Sequence, residues 1–208
     1  MTRKSNLLAL PVVAFAVAAL APAAVAAHLA AGGCQISAQA TLSGLTLSSK
    51  TFTYHYSGKL FGCVYTSKHA AHSGVISAGE TIRIRGHSYQ EPVPSGTGTC
   101  LKTATTGYDF ARWSNGTQTI VQFTTTGGSG GTHLFGTIVP ELTLAAIHPS
   151  AGAPKSTTFK TTEFLGQTAV GALTFAAVDP GLCAGTGVTH AAITGLLGHV
   201  GLVSGTGK

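Results

Sequence analysis

Trp113-Ser114-Asn115-Gly116-Thr117-Gln118-Thr119-Ile120-Val121-Gln122-Phe123 holds a strand end, a turn and a strand start in one short stretch. Asn and Gly accept positive φ at little cost, so the strand ending at Trp113 is predicted to fold directly back onto one starting at Thr117. A hairpin at mid-chain points to antiparallel β structure, and the flanking sequence extends it. Ile36, Ala38, Ala40 and Leu42 alternate with Ser37, Gln39, Thr41 and Ser43, the period of a strand with one face buried. Phe52, Tyr54 and Tyr56 alternate with Thr51, Thr53 and His55 in the same way. In Thr81-Ile82-Arg83-Ile84-Arg85 the isoleucines take one face and the arginines the other.

Further strands are expected near residues 107–113, 117–124, 133–139, 157–164, 170–177, 188–194 and 197–203. No segment after residue 27 carries sustained apolar spacing at three and four residues with a capping signal, so long helices are not expected. Gly127–Gly131 and His148–Pro154 read as loops between hairpins, because the strands on either side are too few for two independent cores. About ten short antiparallel strands must close on themselves or stack to protect their edges. The expectation is an all-β fold: a single antiparallel β-barrel or a barrel-like β-sandwich, spanning residues 28–208.

Residues 1–27 read as a signal peptide. Arg3 and Lys4 supply a positive start, Leu7 to Leu20 is uncharged and apolar, and Pro22 leads into Ala24-Val25-Ala26, a small-residue cleavage site. A retained anchor is the rival, since no charge occurs between Lys4 and Lys50, but Pro11 and Pro22 fit cleavage better than a spanning helix. Lipidation at Cys34 is disfavoured: Ala31 stands where Leu or Val is needed, and three thiols would be left unpaired. The expected location is secreted or extracellular, with attachment to the cell surface as a further option and no stable membrane insertion of the mature chain.

Cys34, Cys63, Cys100 and Cys183 are an even number in an exported chain and form no C-x-x-C pair. Two disulfides are therefore expected, not zinc or redox chemistry. Of three connectivities, Cys34 with Cys63 and Cys100 with Cys183 is preferred, the first stapling neighbouring early strands and the second tying mid-chain to its end.

The whole chain carries 12 basic and 6 acidic residues; without Arg3 and Lys4 the net charge falls from +6 to +4. Basic residues are scattered singly apart from Arg83 and Arg85, with no aromatic interleaving, so no nucleic-acid partner is expected.

Chemistry-bearing motifs are weak. Gly127-Gly128-Ser129-Gly130-Gly131 matches the G-x-S-x-G elbow, which needs a strand before and a helix after, whereas Thr132-His133-Leu134-Phe135 reads as a strand. His69 and His72 in Lys68–His72 are three apart but have no Cys, Asp or Glu nearby, and read as loop residues. If any carboxylate faces inward it is first Glu163, between Thr162 and Phe164 in an expected strand, then Asp109 between Tyr108 and Phe110. A solvated strand face is the preferred reading for both, since carboxylates are seldom buried unless paired. No catalytic residue, metal ligand or cofactor is assigned.

The early cysteine, the Thr53–Gly58 strand, Gly62-Cys63, the Trp-Ser-Asn-Gly hairpin and the late Cys183 followed by Val188–Gly195 resemble small secreted actinobacterial β-proteins. That group carries no assigned activity, so the resemblance transfers no site residue. The biotin site of streptavidin, another exported barrel, is rich in tryptophan; this chain has only Trp113, and biotin binding is not assigned. The leading expectation is a non-enzymatic exported binding or structural module. The alternative is a barrel holding a small apolar ligand at Tyr54, Tyr56, Tyr108 and Trp113, with an extracellular hydrolase third. A ligand barrel requires an open cavity of at least about 300 Å³.

Overall fold

The computed structural model describes residues 28–48, 50–65, 71–128, 131–177 and 179–203, so the signal-peptide reading of residues 1–27 lies outside it. Thirteen strands occur among these residues: β1 (His28–Leu45), β2 (Lys50–Tyr65), β3 (Gly74–Ala78), β4 (Thr81–Ile84), β5 (His87–Gln90), β6 (Ser95–Thr99) and β7 (Lys102–Trp113), then β8 (Gln118–Gly128), β9 (Gly131–Val139), β10 (Glu141–Ala146), β11 (Ser156–Lys160), β12 (Thr168–Ala177) and β13 (Val188–Val203). A short 3-10 helix spans Pro180–Ala184.

The quoted hairpin joins β7 to β8. Trp113 N–H donates to Thr117 O at 2.9 Å, Gly116 N–H to Trp113 O at 3.0 Å, and only Gly116 of the loop has positive φ, at 84°. This is a tight turn with a glycine bulge rather than a turn with Asn115 also in the left-handed region. The Asn115 side chain instead accepts from Thr117 N–H at 3.0 Å and Thr117 Oγ1–H at 2.6 Å. A Cβ at Gly116 would meet nothing within 4 Å, so Gly116→Val carries only the backbone penalty. It is expected to lower stability by about 1 to 2 kcal/mol, read as a shift in urea midpoint at constant slope.

From this hairpin the sheet runs β7-β8-β9-β12-β13-β1-β2 by antiparallel neighbours, and the lane between β2 and β7 is filled by β3 and β6 placed end to end. The sheet thereby closes into an eight-lane antiparallel barrel, which resolves the choice between barrel and sandwich. The divided lane has a chemical cause. Gly79 turns the chain out at φ 73°, and Pro92 and Pro94, which have no N–H to give a ladder, delay its return until Ser95. Pro140 marks a similar exit between β9 and β10. The two excursions pair with each other at Ala145↔Gln90 and Ala146↔Tyr89, making a second sheet in the order β11-β10-β5-β4. Ile82 is buried and Arg83 exposed on the edge strand β4, as the alternation requires, whereas Arg85 lies past the strand's end in the turn to β5, with φ of 49°.

The barrel is filled by the alternating side chains Ile36, Ala38 and Ala40, Tyr54 and Tyr56, Phe123, Leu134, Leu173 and Ile193. Interior space is tight. A Cβ on Gly58 would stand 2.3 Å from that of Ala38, so the small pair Ala38 and Gly58 makes room for neighbouring rings. Phe110 and Ile120 point out of the barrel wall, yet both are fully buried, because Ile82, Tyr89, Leu144 and Phe159 of the second sheet cover them.

Several expectations change at this level. Residues 188–203 form one strand, because Gly195 continues the ladder at Leu173 and Ile36 rather than breaking it. The strand expected over 157–164 ends at Lys160, where Thr161 Oγ1 turns to donate to Val139 O and to accept from Ile120 N–H. Glu163 therefore lies in a connection and is only partly buried. Two carboxylates are buried among the described residues, Asp109 and Glu91; the second accepts from Ser77 Oγ–H at 2.7 Å and from Glu80 N–H at 3.1 Å, pinning the base of the first excursion. Burial pushes its carboxyl pKa up, against those hydrogen bonds. Cys34–Cys63 and Cys100–Cys183 are both disulfides.

Candidate functional site

Strand alternation sends a ring of side chains into the barrel end formed by the C-terminal halves of β1, β8 and β12 and the N-terminal parts of β2, β7, β9 and β13. They do not fill it. A cavity of about 420 Å³ remains, reaching the surface at Leu101 and Pro180, both exposed. One wall is apolar, from Ala40, Leu42, Phe52, Phe175, Val188 and Ala191. The other, on adjacent β7, β8 and β9, presents Thr103, Thr105, Thr125 and Thr132. The Cys100–Cys183 bridge crosses the rim, and Cys183 O accepts from Leu47 N–H at 3.1 Å. Among the described residues Lys102 is the one charged residue on the cavity, and it sits exposed at the rim.

Tyr54 lies at the cavity floor. Its hydroxyl bonds Thr105 Oγ1 at 2.9 Å, and Thr105 Oγ1 bonds Thr125 Oγ1 at 2.7 Å. Burial raises the Tyr54 phenol pKa further above its ordinary range, so it is a neutral hydroxyl at physiological pH. Beneath it the Tyr56 ring stacks at 6.2 Å, and the Tyr56 hydroxyl donates to Asp109 Oδ1. Asp109 is buried inside the barrel and not on the solvated strand face expected of it, because Tyr108 and Phe110 face the second sheet and alternation turns Asp109 inward. Desolvation raises its pKa from 3.8 to about 7, with the Tyr56 hydrogen bond opposing and the Glu91 charge adding.

The opposite end is plugged. Tyr65, Trp113, Phe164 and His199 pack together, with Phe164 stacked on the His199 ring at 3.9 Å and Trp113 edge-on to Phe164 at 5.5 Å. Phe164 holds φ of 61°, a strained value for a bulky side chain, and its connection is fixed by Thr162 N–H and Glu163 N–H donating to Gln118 O. Trp113 Nε1–H donates to Thr119 Oγ1 at 2.9 Å. With His199 Nδ1–H donating to Gln167 Oε1, His199 Nε2 keeps a buried lone pair without a partner, and burial lowers the ring pKa to about 4. The recess here, bordered by Asp109 and His199, holds about 60 Å³, room for roughly two waters.

The four aromatics proposed from sequence are thus dispersed. Tyr54 borders the cavity, and Tyr56 lies deeper, bonded to Asp109. Tyr108 packs outside the barrel against the second-sheet core, and Trp113 belongs to the plug. The threonine wall was missed, although a signal existed: if Phe123 faces in, Thr125 must face in too, and its neighbours across the ladder follow. Among the described residues no group of three His, Cys, Asp or Glu is placed to hold a metal. His72 is exposed and His69 lies outside the described residues, as does Ser129; β9 begins at Gly131, so a strand follows the G-x-S-x-G match. No helix among the described residues is long and apolar enough to cross a membrane.

The fold and site define a closed eight-lane antiparallel barrel with an apolar, threonine-walled mouth. Comparison with protein-family models, curated proteins and solved structures finds no match to this chain.

Proposed function

We propose that the protein is an exported binding protein that takes one small, largely apolar molecule into the mouth of its barrel. The cavity of about 420 Å³ carries this reading. It lies within the range of small-molecule sites, and eight-stranded barrels enclose space for one small ligand. At about 30 Å³ per water-sized group it accommodates on the order of 14 non-hydrogen atoms. The signal-like residues 1–27 and the two disulfides support export into an oxidising compartment. The cavity therefore favours the ligand barrel over a general binding or structural module. The buried Asp109 and His199 lend no support to a hydrolase, because their bonds are made to Tyr56 and Gln167 and not to each other.

Titration with the neutral fluorophore N-phenyl-1-naphthylamine tests the reading. A saturable one-to-one fluorescence rise is expected, with affinity on the order of micromolar for a ligand of this size. Thr103→Phe, which places a ring in the half-buried upper mouth, should weaken binding at least tenfold with the thermal midpoint retained. Absence of saturable binding, or binding indifferent to this substitution, would refute the proposal.

A further inference from the structure

Resting on that reading of the mouth, we infer that its ligand is neutral and carries a hydrogen-bond-accepting oxygen, a carbonyl or hydroxyl. That oxygen is held head-down by the Tyr54–Thr105–Thr125 hydroxyl chain. The inference follows from a proton count. Each hydroxyl has one proton to donate and two lone pairs to accept with. Three hydroxyls joined by two hydrogen bonds, at 2.9 and 2.7 Å, use two protons between them and leave one. Depending on the directions of the two bonds, the spare proton is on Tyr54, Thr105 or Thr125; all three border the cavity, and Thr105 Oγ1 has no further acceptor among the described hydrogen bonds.

Neither terminal hydroxyl has another protein acceptor among the described hydrogen bonds. An apolar guest covering that end would bury a donor without a partner, whereas a guest oxygen placed there receives it. Selection against charge has a separate cause. Among the described residues no charged side chain lines the cavity below the rim, and Lys102 stands at the rim in solvent, so an ionised head at the floor would lose its hydration without a counter-charge. A carboxylate would have to bind the other way up, with its head near Lys102 and its tail at the floor.

The test uses 2-undecanone, n-undecane and decanoate as competitors of N-phenyl-1-naphthylamine at pH 8. The triple variant Tyr54→Phe/Thr105→Val/Thr125→Val removes all three hydroxyls at nearly constant shape, a change that leaves folding nearly intact when every partner goes together. In this variant 2-undecanone is expected to bind about three- to tenfold more weakly while n-undecane is unchanged or tighter.

The carbonyl stretch of 2-undecanone bound to the unaltered protein gives a reading independent of any variant. It should lie below its position in alkane solvent, and an unshifted band overturns the inference. Equal loss or equal retention for ketone and alkane in the triple variant does the same while leaving the ligand site standing. So does a preference for decanoate that is lost in Lys102→Gln, since it puts the head at the rim. If neither the fluorophore nor any competitor binds, it is the reading of the mouth itself that fails.

Discussion

Asp109→Asn is expected to stabilise the protein at pH 8 by about 3 kcal/mol and to lower its stability at pH 3 by about 1 kcal/mol. The carboxyl is 2% exposed inside an apolar barrel, accepts from the Tyr56 hydroxyl, and has no cation beside it. Its pKa rises from 3.8 in the unfolded chain to about 7 in the fold. Because the folded value is the higher one, the group's stabilising contribution is complete below pH 3.8 and is lost as pH rises through 7. About three pKa units correspond to about 4 kcal/mol. The new amide, lacking a full set of partners, takes back about 1 kcal/mol of this.

His199 has the opposite sign. Its pKa falls from 6.5 to about 4, so its contribution is present above pH 6.5 and is lost as pH drops through 4. Between pH 4 and 6.5 the two slopes oppose each other. Urea unfolding at unit pH intervals separates them: the two contributions nearly cancel in the wild-type protein, which should change little from pH 4 to 7, whereas the Asp109→Asn variant should gain about 3 kcal/mol over that range. A variant as flat as the wild type over this range would show that Asp109 is not the group offsetting His199.

The second large effect concerns the rim. Replacing Cys100 and Cys183 together with Ala should lower the unfolding free energy by roughly 4 to 5 kcal/mol, the chain-entropy value for a loop of this length. The bridge joins residues 83 apart in sequence and ties the 3-10 helix to the β6–β7 turn. Two backbone bonds at the same corner, Leu47 N–H to Cys183 O at 3.1 Å and Cys100 N–H to Thr46 O at 2.9 Å, show that the three segments meet there without it. The loss should therefore come mainly from a freer unfolded chain. Urea unfolding should show both a lower midpoint and a steeper slope, since a chain without the cross-link exposes more surface. A loss below 1 kcal/mol would mean that the bridge adds little to this corner.

Inward and outward positions were legible wherever one strand face is wet. Ile36, Ala38 and Ala40, and Phe52, Tyr54 and Tyr56, are buried as their alternation predicts, and the hairpin after Trp113 forms where Asn-Gly places it. The rule was uninformative where both faces are covered. Phe110 and Ile120 look like breaks in the barrel's alternation until the second sheet is seen to cover them. Glu91, between Gln90 and Pro92, has no apolar period around it, and only the fold of residues 79–94 against the barrel wall reveals its burial. Of the candidate site, Tyr54 alone was singled out from sequence.

By itself the sequence determined what neighbouring residues impose on one another: the two-residue period that assigns each side chain a face, the turn that glycine permits at position 116, and an even set of cysteines. Tertiary structure alone decided that β1 meets both β2 and β13, that β3 and β6 share one lane, and that the inward residues at one end leave a cavity while those at the other close it. The physical reason is range. Facing follows from steric relations between adjacent residues, whereas closure and empty volume depend on pairings such as Ile36 with Gly195, far apart in the chain, and on how side-chain volumes from seven strands add up at one level of the barrel.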